Sequence, residues 1–154
     1  MMPTRLECVV DASVGIKLFV NETLSDRADA LFAHLAGESS ALLAVPDLFY
    51  IECANILWKH VRRFGYPASD AQKDLASLAK LALHSMPTLA LMSEALKIAV
   101  AQGITAYDAC YLALAQHLGV PFITADDRLV RLLAPATYDI RWLGDFDVPL
   151  LAPS

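Results

Sequence analysis

A single α/β domain, with a central parallel sheet of about four to five strands flanked by about seven helices, is the fold class this sequence predicts. Three observations carry it. Short β-branched runs alternate with longer helical patterns, which is how a parallel sheet covered on both faces is written. The 154-residue chain is 56% hydrophobic and only 19% charged, so a substantial core is expected and disorder is not. No repeat, low-complexity tract or linker interrupts it, so residues 1–154 read as one domain.

The elements follow in order. Leu6 to Val10 is the first strand run, and Val14 to Val20 and Ser25 to Ala36 carry helical patterns. Ala41 to Val45 is a second strand, closed by Pro46, with Asp47 set to cap a helix from Asp47 to Phe64. Gly65 and Pro67 stop that helix, and Ala68 to Leu83 returns as the other arm of an antiparallel hairpin. Pro87 separates this helix from the next, Leu91 to Ala101, while His84 to Leu89 is ambiguous and is a candidate for an extra central strand. Ala106 to Leu118 is helical, and Val120 to Thr124 is a strand introduced by Gly119 and Pro121. A helix at Asp127 to Leu133 and a late edge strand at Asp139 to Leu143 complete the pattern.

Composition narrows the setting. No apolar run approaches the ~18 residues of a membrane span, so no membrane association is expected. Glu7 interrupts what would have to be the core of a signal peptide, so the N-terminus reads as leading into a strand. Cys8, Cys53 and Cys110 are odd in number, far apart and without zinc spacing, which points to the reducing cytoplasm. The formal charge of −5 argues against a nucleic-acid partner, yet two divalent ions contributing +4 would leave about −1, so charge alone does not decide it.

Asp11, Glu52, Asp108 and Asp126 each stand where an apolar run passes into a polar turn or helix start. In an open parallel sheet such positions converge at the carboxyl ends of the strands, beside the switch point. Two like charges about 4 Å apart repel by roughly 4 kcal/mol at an effective dielectric near 20, so a cluster of this kind takes up protons or a hard cation such as Mg2+ or Mn2+. Each acid also has a structural reading. Asp11, Asp126 or Asp127 serve as helix caps, and Thr105-x-x-Asp108 resembles a capping box.

Glu52 is the most telling of the four. It interrupts Leu48-Phe49-Tyr50-Ile51-Glu52-Cys53-Ala54-Asn55-Ile56-Leu57-Trp58, a helical stretch apolar nearly all round and so expected to be buried on most sides. Asn55 and Lys59 lie on the same stripe, which continues towards Arg62 or Arg63; that basic end suits a phosphate backbone or plain dipole complementation.

Taken together, the chain resembles the PIN-domain family, and within it the VapC-type toxin ribonucleases. The resemblance rests on Val9-Val10-Asp11-Ala12-Ser13-Val14, Glu52-Cys53-Ala54-Asn55-Ile56-Leu57, Tyr107-Asp108-Ala109-Cys110-Tyr111-Leu112-Ala113-Leu114-Ala115 and Ile123-Thr124-Ala125-Asp126. It implies a metal-dependent endoribonuclease on a Rossmann-like fold. Asp11, Glu52, Asp108 and Asp126 would hold one or two Mg2+ or Mn2+ ions, with Ser13 and Thr124 as supports. Lys17 matches a lysine of some family members with a phosphate or acid contact, and is equally readable as a surface lysine; Asp127 is a helix-start residue that could exchange roles with Asp126. The resemblance also implies an RNA substrate, a small cognate antitoxin of VapB type and a homodimer. Phosphodiester hydrolysis suits carboxylate-held metal, and no histidine is placed to act as base.

Rival readings fare worse. Asp11-Ala-Ser-Val-Gly15-Ile lacks the glycine-rich turn of a dinucleotide site. Ser13 stands where an aspartate-nucleophile phosphatase would carry its second acid. A related DNA-directed nuclease leaves little room for its extra helices in 154 residues. A catalytically silent PIN-type binding module gives no reason for four acids.

Overall fold

The computed structural model describes residues 5–36 and 41–151, and Met1 to Thr4, read above as leading into the first strand, lie outside them. The chain opens with β1 (Glu7–Val10) and α1 (Ala12–Gly15), which tightens into a 3-10 turn at Ile16–Leu18. Next come α2 (Ser25–Phe32), β2 (Leu42–Pro46) and the hairpin of α3 (Leu48–Phe64) and α4 (Ala68–Ala79). Strand β3 (His84–Met86), α5 (Met92–Gln102), α6 (Ala106–Leu118), β4 (Phe122–Thr124), α7 (Asp127–Leu133) and β5 (Ile140–Trp142) follow. The strands pair in parallel throughout, in the order β3-β2-β1-β4-β5.

The fold class is therefore the one expected. Cys8, Val9 and Val10 are all fully buried although neighbouring residues point to opposite faces, so β1 is covered on both sides. Helix α6 lies across β1, β2 and β4 and is buried without a break from Ala109 to Ala115. A helix apolar all round can only sit inside, which fixes the frame that carries Asp108.

Three expectations need correction. The ambiguous segment at His84 to Leu89 does form a strand, but only three residues long and at the sheet edge beside β2. Helix α4 stops at Ala79, short of Leu83, because i→i+3 bonds from Lys80 and Leu81 to Ser77 and Leu78 turn the chain into that edge strand. Asp47 sits at the N-cap of α3 without capping it. Its Oδ1 accepts from the Thr88 amide at 2.8 Å and from the Thr88 hydroxyl, and Thr88 Oγ1 in turn accepts from the Leu48 amide at 3.2 Å. The cap is supplied from across the sheet edge, where the Asp47 amide also bonds to Met86 O.

The chain leaves β1 toward β2 on one side and is flanked by β4 on the other, so the switch point lies between β1 and β4. Asp11 follows β1 and Asp126 follows β4, both at carboxyl ends. The contact of α1 with α3 brings Glu52's helix to the same place. Gly15 makes that contact possible, since an added Cβ would stand 2.6 Å from Phe49 Cζ and 2.9 Å from Phe49 Cε2. Phe49 is fully buried and cannot swing away. Gly15→Ala is therefore expected to cost about 1–2 kcal/mol net: overpacking of roughly 1–3 kcal/mol outweighs the gain of up to ~1 kcal/mol in helix propensity. Chemical denaturation checks this, and unchanged stability would mean that Phe49 yields.

Candidate active site

Asp11 is held on both of its oxygens. Oδ1 accepts from the Ser13 hydroxyl at 2.5 Å and the Val14 amide at 3.3 Å, and Oδ2 accepts from the Thr124 hydroxyl at 2.6 Å. It caps α1, so the structural reading is right as far as it goes. The two hydroxyls do more than cap. Ser13 Oγ accepts from the Ala125 amide at 3.0 Å and Thr124 Oγ1 accepts from the Asp126 amide at 3.1 Å. The turn after β1 and the turn after β4 are thus latched together through one carboxylate, which fixes Asp126 relative to Asp11.

Asp126 caps α7 through Oδ1, accepting from the Arg128 amide at 3.0 Å and the Leu129 amide at 3.2 Å. Both cap bonds fall on one oxygen. Asp127 is the first helical residue, exposed, and ion-paired with Arg131 at 3.5 Å. Asp108 sits in the first turn of α6, whose Thr105 cap accepts from the Asp108 amide at 3.1 Å.

Glu52 owes its setting to a residue given no role in the sequence reading. Tyr111 Oη donates to Glu52 Oε1 at 2.5 Å. The expectation that α3 is buried on most sides does not hold: Ile51 is 69% exposed and Trp58 55%, while Phe49, Cys53 and Leu57 form a narrow buried stripe. Glu52 is half-buried on a helix that is not enclosed, with the Tyr111 hydroxyl of α6 bonded to its carboxylate. Tyr111 left a signal all the same. It is the one hydroxyl-bearing residue in the apolar run Ala109 to Ala115, and a buried phenol requires an acceptor.

The remaining candidates scatter. Lys17 is buried and gives its ammonium to Glu22 Oε1 at 2.9 Å rather than to one of the four acids. Asn55 is exposed on α3 one turn beyond Glu52. His34 bonds to Pro149 O at 2.7 Å and His60 to Ile56 O at 3.0 Å, so neither is turned to the acids.

The electrostatics tie the four acids together. Burial, offset in part by Ser13, Thr124 and Val14, pushes Asp11 up to about 6, and the charge of Asp108 adds to the rise. Burial raises Glu52, where the Tyr111 bond opposes and Asp108 adds. Burial raises Asp108 too, with the charge of Asp126 adding to it. Asp108 thus feels, or is felt by, each of the other three. Among the described residues none of these acids is paired with Lys, Arg or His.

This donor set fits a hard divalent cation. All the donors are carboxylate oxygens, their mutual repulsion has no basic counterweight, and a cation would relieve it. Among the described residues no three Asp, Glu, His or Cys side chains stand grouped as a ready-made cage for a metal ion. Mg2+ keeps several waters and takes only a few carboxylates, so it does not require such a cage.

Comparison with known proteins agrees with the geometry. Residues 8–133 match the PIN domain family model. The chain belongs to the PIN-domain family. Ribonuclease VapC3 of Pyrobaculum aerophilum is 34% identical to this PIN domain over 128 residues, covering 80% of this chain and 92% of that protein. A crystal structure of PAE2754 from the same organism superposes with a TM-score of 0.65 at 27% identity, covering 92% and 93% of the two chains. A toxin–antitoxin complex from Klebsiella pneumoniae matches at a TM-score of 0.60 and 14% identity, over 87% of this chain and 95% of that one, a likeness of fold alone. Strands β1 to β4 apart from Glu7, the switch-point rim and the motifs quoted above lie within the matched PIN region, β5 lies beyond it, and no single helix among the described residues is long and apolar enough to cross a membrane.

Proposed function

We propose that this PIN domain is a Mg2+- or Mn2+-dependent endoribonuclease acting as the toxin of a toxin–antitoxin pair. The observation that carries the reading is Asp108, electrostatically coupled to Asp11, Glu52 and Asp126 on a rim without a basic partner among the described residues. The relative from Pyrobaculum, named a ribonuclease, supports the reaction class. Asp11, Glu52, Asp108 and Asp126 would hold one or two ions, whose bound chemistry would be to activate water, neutralise the phosphoryl oxygens and support the leaving oxygen. The chain's own contribution is orientation: Ser13 and Thr124 fix both oxygens of Asp11, and the α7 cap fixes one of Asp126. Exposed Asn55, Lys59, Arg62 and Arg63 lead from Glu52 along α3 and offer donors to a phosphate backbone.

A VapB-type antitoxin and a homodimer belong to the same proposal. Exposed Ile51 and Trp58 beside the site support the first. Met92, Leu96 and Val100, spaced four apart on the exposed face of α5, support the second. Free, buried Cys8, Cys53 and Cys110 support a reducing, cytoplasmic setting.

The test is cleavage of a mixed pool of transfer, ribosomal and messenger RNA by antitoxin-free protein, in Mn2+ or Mg2+ against EDTA. Discrete products that require metal are expected. No cleavage, together with no Mn2+ binding by titration, would return the acids to helix capping and leave a PIN-type binding module.

A further inference from the structure

We propose that Tyr111 is a positioning residue, holding the Glu52 carboxylate so that its second oxygen is offered to the metal; the inference rests on the metal-dependent reading above. Tyr111 is 1% exposed, and its hydroxyl makes one side-chain hydrogen bond, to Glu52 Oε1 at 2.5 Å. That length is typical of an O–H donor on a carboxylate, a stronger bond than one between neutral groups. The ring cannot drift. It stacks on Phe122 with centroids 5.5 Å apart and planes 9° from parallel, and Phe122 is locked in β4 by register with Val9 and Ile140.

A buried phenol would be satisfied by any backbone carbonyl, so its burial alone says nothing about function. The choice of acceptor does. Of the acids around the rim, Glu52 is the one on a long side chain, with three torsions to restrain, and the phenol restrains it from the helix that also carries Asp108. Asp108 and Tyr111 are three residues apart on α6 and share a face. One helix, buried from Ala109 to Ala115, therefore sets two acids, Asp108 directly and Glu52 through the phenol. Partners of this kind behind a metal's ligands orient them and commonly matter 10–100-fold for affinity.

The experiment is calorimetric Mn2+ titration of Tyr111→Phe beside wild type, with the melting temperature in EDTA measured for both. The variant keeps the ring and its stack and loses only the donor. About tenfold weaker Mn2+ binding is expected, with cleavage recovering as Mn2+ is raised. Equal affinities, whatever happens to the melting temperature, would overturn the proposal and leave Tyr111 a core residue. In wild type, spectroscopically silent Mg2+ should produce a tyrosine difference band that Glu52→Ala abolishes; its absence would overturn the proposal even if Tyr111→Phe does not fold. Failure of the wild type to bind any Mn2+ is a different result, and it overturns the metal reading itself.

Discussion

Asp108→Asn is expected to lower metal-dependent RNA cleavage by about 100-fold or more while raising the melting temperature in EDTA. The two halves of this expectation come from the same fact. Asp108 is the acid through which the charges of the cluster are coupled: it raises Asp11 and Glu52 and is itself raised, after burial, by Asp126. Without metal, its charge is a cost to the fold at neutral pH, because a group whose folded pKa is raised loses stability on deprotonation. Asparagine keeps the size and removes the charge. The Thr105 cap is untouched, since Thr105 accepts from the backbone amide of residue 108. The loss of favourable interaction with the helix dipole is small, about 0.3–1 kcal/mol at an exposed site. With metal present the sign reverses, for the coupled acid is then missing from the ion's surroundings. Loss of activity should exceed the 10–100-fold typical of groups standing behind a metal's ligands. A variant that melts lower in EDTA and cleaves normally would make Asp108 a helix-start residue and nothing more.

The contrast between what was legible and what was not follows from distance along the chain. Asp11, Asp108 and Asp126 were readable because each is placed by its own strand–turn or cap–helix junction, and the alternation of strands with helices says that such junctions meet at one end of the sheet. The strands at β1, β2 and β4 were readable because they are buried on both faces and therefore nearly pure apolar runs. β3 was not, because a three-residue edge strand carrying exposed His84 and Ser85 leaves no periodicity to detect. The misreading of α3 has the same source. An apolar helix looks the same whether its neighbours bury it or leave Ile51 and Trp58 in solvent, and the partners that fix its start and its carboxylate lie 40 or more residues away. Thr88 at the start of α3 and Tyr111 on Glu52 are both partners of this distant kind. Local rules expose a need, such as a helix start to be capped or a buried phenol to be bonded, but not who answers it.

Asp11 offers the sharpest test of the cluster as a charge problem, because its chemistry predicts a pH window as well as a sign. Its carboxyl rises from the ordinary 3.8 to about 6 in the folded chain, chiefly through burial. A raised folded pKa means that the folded state holds the proton more tightly than the unfolded state does. The resulting stability is fully present below about pH 4 and is lost as pH rises through about 6. Its size is about 3 kcal/mol at most, taking roughly 1.4 kcal/mol for each unit. Asp11→Asn removes this penalty at neutral pH and remains a good N-cap, since asparagine caps as well as aspartate. It also turns an amide towards Thr124 Oγ1, which now donates to Oδ2, and rearranging that bond costs about 1 kcal/mol. In EDTA at pH 7 the variant is therefore expected to gain about 2 kcal/mol, roughly 4–8 °C in Tm for a chain of this length. Measured from pH 7.5 down to pH 4, that advantage should shrink across the window between about 6 and 4 and turn into a small deficit of up to about 1 kcal/mol at its lower end, because wild type then carries its own proton while the variant still bears the rearranged bond. Adding Mn2+ should raise the Tm of wild type and leave the variant nearly unmoved. Parallel pH curves for the two proteins, or a variant less stable at pH 7, would mean that Asp11 is an anchor for the two turns and carries no excess charge for a metal to relieve.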